Sequence, residues 1–245
     1  VKVGSLNKGL VGHWTLAQDS LQSATVFADK TPYSNNGTSA NTPTFTTDQH
    51  GQSNKAMTFN GSTDYVMVNS SAYMFNSGDF SVGLWAKPTV LDNTFDGLIT
   101  TDVASDGAWK IVRDANTNYF KARFSSTYVN YPVVSLGVWH HYGYVKSGTN
   151  LILYLDGAYV STNACPATHG VSGTQLALGS YRVNDALSGS HMFTGSIADV
   201  RIYNRALSPD EVSQLYSAYR PKYQVSTLSK GLVGHWKLSQ ASKKG

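Results

Sequence analysis

The chain has 245 residues, of which 41% are hydrophobic and only 14% are charged, so it can bury a sizeable core while Ser, Thr, Asn, Gly and Tyr supply most of its polarity. The formal net charge of +4 comes from lysines near the two ends, because acidic residues slightly outnumber basic ones over residues 20–221. A phosphate-binding face, which needs clustered cations, is excluded, as is a membrane-spanning run of about 18 apolar residues.

In chain order, short apolar segments alternate with turn-forming dipeptides, which is typical of an all-β protein. Asn60-Gly61, Asp96-Gly97, Asp106-Gly107 and Asp156-Gly157 predict turns, and the last predicts a tight hairpin. The predicted strands are 56–59, 65–68, 80–86, 97–101, 109–112, 119–124, 139–145, 151–155, 158–161 and 176–178.

One helix is predicted near the end of this pattern, at about residues 208–218. Ser208 and Glu211 form a capping box with Pro209 between them, at the first helical position. Apolar residues follow at helical spacing, namely Val212, Leu215, Tyr216 and Tyr219.

A repeated segment gives the domain organisation. Residues 6–16 return as residues 228–238, with nine of eleven positions identical at a spacing of 222. We therefore expect residues 1–221 to form one module, and residues 222–245 to be a linker followed by the truncated first strand of the next copy. The parent protein would then carry the module in tandem.

Several segments in the same order resemble the laminin-G-like branch of the concanavalin A-like lectin/glucanase domains. They are Gly-Leu-Val-Gly-His-Trp at 9–14, the loop 29–37, and the segments 56–61, 64–66, 80–88, 139–141 and 197–208. The resemblance implies an all-β, two-sheet antiparallel β-sandwich (jelly roll) with one short C-terminal helix. We expect six of its side chains to be largely buried: Trp14, Phe59, Val82, Leu84, Leu153 and Ile202.

Catalytic chemistry has little support in the sequence. A pair of carboxylates for glycoside hydrolysis is missing, because Glu211 is the only glutamate and already serves the helix cap. Asp96, Asp106 and Asp156 precede glycine, so turn formation explains them. The single cysteine, Cys165, permits no intrachain disulfide and no cysteine zinc site. We expect no enzyme activity.

Calcium is the one metal that the resemblance implies. Laminin-G-like modules often hold a structural calcium ion between the 29–37 loop and the closing strand, and Asp29, Asn35 and Asp199 match these ligand positions. Ala198 and Pro32-Tyr33 depart from the family pattern and would weaken binding. The alternative is that Asp29 only accepts hydrogen bonds from its own turn.

A glycan-binding face is predicted around the strand at 119–124. Strand alternation places Phe120, Ala122 and Phe124 in the core and turns the intervening side chains outward, and Tyr142 and Tyr144 are assigned to the core as well. The predicted ligand-binding residues are Trp109, Arg113, Tyr119, Lys121, Arg123, Tyr128, Tyr131, Tyr181 and Arg182. The alternative is an ordinary tyrosine-rich solvated face.

The sequence thus favours a non-catalytic binding or adhesion module of a secreted or cell-surface protein. Its expected partner is a glycan or a surface protein, together with further copies of the same module, and neither nucleic acid nor direct membrane insertion is expected. Two alternatives stay open: a structural stalk repeat without a ligand, and an accessory domain of a polysaccharide-degrading enzyme.

Overall fold

The computed structural model describes residues 6–75, 77–90, 95–101, 109–115, 117–168, 173–183 and 186–218. Within them the elements, in chain order, are β1 (Leu10–Trp14), β2 (Val26–Phe27), β3 (Gly37–Ser39), β4 (Thr44–Thr46), β5 (Ala56–Asn60), β6 (Val66–Asn69), β7 (Phe80–Pro88), β8 (Asp96–Thr101), β9 (Trp109–Arg113), β10 (Lys121–Phe124), β11 (Thr127–Asn130), β12 (His140–Ser147), β13 (Asn150–Leu155), β14 (Ala158–Ala164), β15 (Gln175–Leu178), β16 (Ser180–Val183), β17 (Ala186–Met192), β18 (Thr194–Tyr203) and α1 (Pro209–Ala218), with short 3-10 turns at Gln18–Ser20 and Ser71–Tyr73.

The strands form two large antiparallel sheets, as the jelly-roll prediction requires. Sheet A has the order β14-β13-β12-β7-β18-β5-β4, and β1 pairs with β18 beside β5. Sheet B has the order β11-β10-β9-β8-β15-β6-β3-β2, and β16 and β17 form a separate two-stranded hairpin. Each predicted strand overlaps a strand of the structure, and the predicted all-β sandwich is confirmed.

A single apolar layer between the sheets holds the sandwich together. Alternate residues of each strand point into this layer, so burial repeats with the two-residue period of extended chain. All six side chains that were expected in the core are 2% exposed or less, and so are Tyr142 and Tyr144. At one end, the ring of Phe80 lies 5.4 Å from that of Trp109 and 5.3 Å from that of Tyr144.

The helix α1 begins with the predicted capping box. The hydroxyl oxygen of Ser208 accepts the backbone N–H of Glu211 at 3.2 Å, and the Glu211 carboxylate accepts the N–H of Ser208 at 3.0 Å. Val212 and Leu215 are buried against the outer side of sheet A. There Gly143 permits close approach, since an added Cβ would lie 3.3 Å from Val212.

The dipeptide turns behave in two ways. Asp156 and Gly157 both have positive φ, 53° and 76°, as the predicted tight hairpin between β13 and β14 needs. Asp96, in contrast, does not form a turn: it starts β8 and is buried. The turn interpretation of Asp96 was therefore wrong, because a distant side chain, Arg113, stabilises its carboxylate inside the fold.

In the part of the chain that the structure describes, no helix is long and apolar enough to cross a membrane. The predicted boundary at residue 221, the second copy of the repeat and the Asp106-Gly107 turn all lie outside the described residues. The division into a module and a truncated next module accordingly stays a prediction.

Candidate functional site

The outer face of sheet B carries the main group of candidate ligand-binding side chains. In β10 and β11, Lys121 lies opposite Asn130 and Arg123 lies opposite Tyr128. On the other side of β10, Arg123 pairs with Lys110 of β9. Because paired residues share a face, these side chains point away from the core together.

Aromatic rings and cations lie in contact on this face. The Lys121 ammonium is 4.1 Å from the ring centroid of Tyr128, and the Arg123 guanidinium is 4.9 Å from the same ring. The Lys110 ammonium is 4.3 Å from the Tyr181 ring and 3.1 Å from its hydroxyl. We call Lys110, Lys121, Arg123, Tyr128 and Tyr181 the cation–tyrosine face.

The hairpin β16–β17 brings Tyr181 to this face by lying over β8. The Thr100 hydroxyl donates a hydrogen bond to the carbonyl oxygen of Ser180 at 2.9 Å. Gly97 makes the approach possible, because an added Cβ would lie 2.2 Å from that oxygen. Phe95 and His191 pack around the Tyr181 ring, with centroids at 5.8 and 5.7 Å.

Two predicted ligand-binding residues belong to the core instead. Trp109 is opposite the inward-facing Phe124 rather than Arg123, so its ring points between the sheets. Its indole N–H donates to the carbonyl oxygen of Tyr73 at 2.7 Å. Tyr131 is also buried, and its hydroxyl donates to the carbonyl oxygen of Gly143 at 3.0 Å. Assigning these two to a surface was wrong.

Arg113 is a third correction. It shares the inward side of β9 with Trp109 and is 0% exposed. Its Nε and Nη2 atoms lie 2.7 and 2.5 Å from Oδ2 of Asp96, and Nη1 donates to the carbonyl oxygen of Thr117 at 3.0 Å. This guanidinium neutralises a buried carboxylate and does not reach a surface ligand.

The remaining predicted residues are placed as follows. Tyr119 precedes β10, is partly exposed and has the same outward parity as Lys121. Arg182 lies in β16, but its side chain is outside the described residues. Lys110 was missed, because only the register between β9 and β10 shows which β9 residues face outward; strand alternation alone fits either choice.

The predicted calcium loop is folded around Asp29. Its Oδ1 accepts the backbone N–H groups of His13 and Thr31, and its Oδ2 accepts the Thr31 hydroxyl and the N–H of Asn35, all between 2.8 and 3.0 Å. Four donors occupy the lone pairs that a metal would need. Asn35 contributes its backbone, since its carbonyl oxygen accepts the indole N–H of Trp14.

Asp199 lies on the other side of β1 from this loop, at a bulge of β18 where its φ is 49°. Its Oδ1 is 2.7 Å from Nε2 of His13 and 3.2 Å from Nε of Arg201. Burial alone would raise the pKa of Asp199, but the His13 hydrogen bond and the Arg201 charge hold that pKa below its usual value.

The described residues form no group of three or more His, Cys, Asp or Glu side chains that could hold a metal ion. As arranged, both carboxylate oxygens of Asp29 and Oδ1 of Asp199 are engaged with protein donors, whereas a calcium ion needs six to eight oxygen ligands. The geometry favours the alternative in which Asp29 stabilises its own turn. Calcium binding stays a prediction.

A second polar feature is a cavity of about 310 Å³ beside Asp199. Its lining includes Asp19, Asp48 and Lys55 together with amide side chains from the 49–52 loop. Asp19 is paired with Lys55, and Asp48 accepts N–H groups of its own loop, so these acids are already engaged. The cavity is large enough for a small ligand.

Similar folds occur among solved structures. The binding domain of botulinum neurotoxin DC in complex with SialylT superimposes with a TM-score of 0.66 at 12% identity, over 87% of this chain and 52% of that chain. Domain 4 of AbnA, a GH43 extracellular arabinanase from Geobacillus stearothermophilus, in complex with arabinotriose, gives 0.62 at 22%, over 84% and 98%. Trypanosoma rangeli sialidase in complex with sialic acid gives 0.62 at 16%, over 93% and 34%.

At these sequence identities, the comparison with the three structures shows a shared fold and nothing more. The chain spans about half of the neurotoxin domain and a third of the sialidase, whereas it spans almost the whole arabinanase domain. No curated protein matches the chain in sequence. A family model matches residues 60–213, which is more than half of the chain, and the protein therefore belongs to the concanavalin A-like lectin/glucanases superfamily.

Proposed function

We propose that this protein is a non-catalytic glycan-binding module of an extracellular protein in which the module is repeated. The observation that carries the proposal is the cation–tyrosine face on the outer side of sheet B, where the half-buried Lys121 and the buried Lys110 and Arg123 contact two tyrosine rings. Tyr128 is 38% exposed at this surface, so its ring is accessible to a ligand.

The chemistry of the face suits a sugar. A pyranose or furanose ring has an apolar C–H surface, which packs on an aromatic face, and a rim of hydroxyl groups, which accept hydrogen bonds from ammonium and guanidinium groups. The Tyr128 ring offers the first contact, and Lys121 beside it, which is paired with Asp114, supplies the second. The buried Arg123 supports the ring from below and donates its Nε hydrogen to the carbonyl oxygen of Ser125. The Lys121 ammonium is held by the Tyr128 ring and by the Asp114 carboxylate, so little ordering is needed when a ligand binds.

Some of the solved structures that share this fold support the proposed binding role. They include a neurotoxin binding domain in complex with SialylT and an arabinanase domain in complex with arabinotriose. The same neurotoxin domain has also been solved with rat synaptotagmin II, so a protein partner is the second candidate. Glu211 supports the non-catalytic interpretation, because its carboxylate binds both Ser208 and Arg205.

Repetition fits a binding role. A shallow face on a sheet forms few contacts with each ligand, and two linked faces gain avidity without any new contact. An extracellular location follows from the same reasoning, because that is where polymeric glycans present many copies of one epitope. The stalk alternative keeps the repetition but gives the face no ligand.

A glycan array distinguishes these alternatives. The wild-type chain is applied with and without calcium beside two charge variants, Lys121→Gln on the cation–tyrosine face and Lys55→Gln at the cavity. We expect a defined group of glycans to be retained by the wild type and by Lys55→Gln, and to be lost with Lys121→Gln.

Each other result has a meaning. Retention by Lys121→Gln but not by Lys55→Gln moves the site to the cavity and contradicts the proposed face. An array without any retained glycan, measured on folded wild-type protein, contradicts the glycan-binding function and leaves the stalk or a protein partner. A requirement for calcium in a binding reaction that Lys121→Gln abolishes would place a metal near the face.

A further inference from the structure

The contacts of β1 in sheet A require particular residue types at several positions. β1 pairs with β18, with His13 opposite Arg201 and Trp14 opposite Val200. Trp14 is fully buried, and its indole N–H donates to the carbonyl oxygen of Asn35 at 3.0 Å. The ring packs edge-on against Tyr73 at 5.4 Å.

Two glycines and a histidine in or next to β1 are also required for the observed packing. A Cβ added at Gly12 would lie 2.6 Å from the Trp14 ring, so a larger residue would displace the ring. Gly9 has a φ of 73°, where side chains are strained, and a Cβ there would lie 2.8 Å from Oδ1 of Asn204. His13 binds the strained Asp199 through its ring at 2.7 Å.

Residues 228–238 have the same residue type at each of these four positions. They lie outside the described residues, but their sequence is that of residues 6–16 at nine of eleven positions. The two differing positions are Asn7 and Thr15, whose described hydrogen bonds use only backbone carbonyl oxygens, to Leu10 N and Asp199 N. Any residue type supplies a carbonyl oxygen, so the changes to Ser229 and Lys237 remove neither of these bonds.

We propose that residues 228–238 are a second first strand, which binds β18 of another copy of this chain when that copy's own β1 is weakened. The interaction surface is the half of β18 that β1 covers, Val200 to Tyr203, and the partner is a second copy of this chain. Exchange replaces Gly9, Gly12, His13 and Trp14 by the same residue types, so the incoming strand gains little over the resident one. The tethered resident strand therefore wins unless it is weakened. The inference is independent of glycan binding.

Trp14→Ala and Trp236→Ala test the proposal as a double-mutant cycle. Trp14→Ala weakens the resident strand but leaves the incoming one intact, so this variant should form oligomers whose share rises with protein concentration. Wild type and Trp236→Ala should be monomeric, and the Trp14→Ala/Trp236→Ala double variant should stay monomeric with a lower melting temperature than Trp14→Ala. Light scattering after gel filtration, over a tenfold concentration range, measures the mass.

A second pair of variants, with a smaller expected effect, distinguishes strand exchange from misfolding of Trp14→Ala. His13→Ala loses the contact with Asp199 while His235 is retained, and it should show the same concentration-dependent association to a smaller extent, abolished by adding His235→Ala. If Trp14→Ala and His13→Ala are both monomeric with the melting temperatures of their double variants, residues 228–238 do not bind β18. If both are monomeric but melt higher than the double variants, the segment inserts into its own chain and the second-copy proposal is wrong.

Discussion

Replacing Asp96 by asparagine should destabilise the protein strongly, although the side chain keeps its shape. Asp96 and Arg113 are both buried, at 2% and 0% exposure, and their charged atoms lie 2.5 to 2.7 Å apart. Without the carboxylate charge, the guanidinium loses its ion pair with Asp96 inside the sandwich. Breaking a buried pair in this way costs about 3–5 kcal/mol, which lowers the melting temperature of a chain of this size by about 6–20 °C.

Differential scanning calorimetry at pH 7 measures this change, with two controls. Asp19→Asn removes a carboxylate whose side chain is 66% exposed and paired with Lys55, and it should cost less than about 1 kcal/mol. The double variant Asp96→Leu/Arg113→Met removes both charges together and should recover most of the loss. A melting temperature of Asp96→Asn within 2 °C of wild type would refute a structural role for the pair.

Three further changes follow from the structure. Burial lowers the pKa of His141 to about 4, so between pH 6.5 and 4 the imidazole is protonated in the unfolded chain but not in the folded one. The free energy of unfolding should therefore fall by about 3 kcal/mol as the pH drops from 6.5 to 4. His141→Phe should make the melting temperature depend less steeply on pH over this range. Asp29→Ala should lower the melting temperature in calcium-free buffer. The calcium prediction further requires that added calcium raises the melting temperature of the wild type but not that of Asp29→Ala, and an equal rise in both proteins contradicts it. Gly97→Ala should cost about 1–3 kcal/mol in denaturant unfolding by displacing β16, and an unchanged midpoint contradicts that contact.

Local patterns were sufficient for most of the fold. The capping box at Ser208 and the Asp156-Gly157 hairpin were predicted correctly because both depend on neighbours within a few residues. Strand alternation likewise placed Phe120, Ala122 and Phe124 in the core. Such features require no knowledge of which strands pair.

Features that depend on pairing between distant strands could not be predicted from local sequence patterns. Asp96-Gly97 has the composition of a turn, yet Arg113 fixes the carboxylate and β16 requires the glycine. The outward face of β9 follows from its register with β10, which places Lys110 rather than Trp109 beside Arg123. Tyr181 joins the face only because a hairpin crosses over β8.

The central claim is that ligand binds on the Tyr128 ring, and calorimetric titration with the glycan retained most strongly on the array tests it most directly. Tyr159→Ala is the matched control, since Tyr159 is 62% exposed and lies on β14 of the other sheet. We predict that Tyr128→Ala weakens binding at least about tenfold, as loss of a central aromatic contact does, and that Tyr159→Ala binds like the wild type. Equal affinity of wild type and Tyr128→Ala would contradict the account.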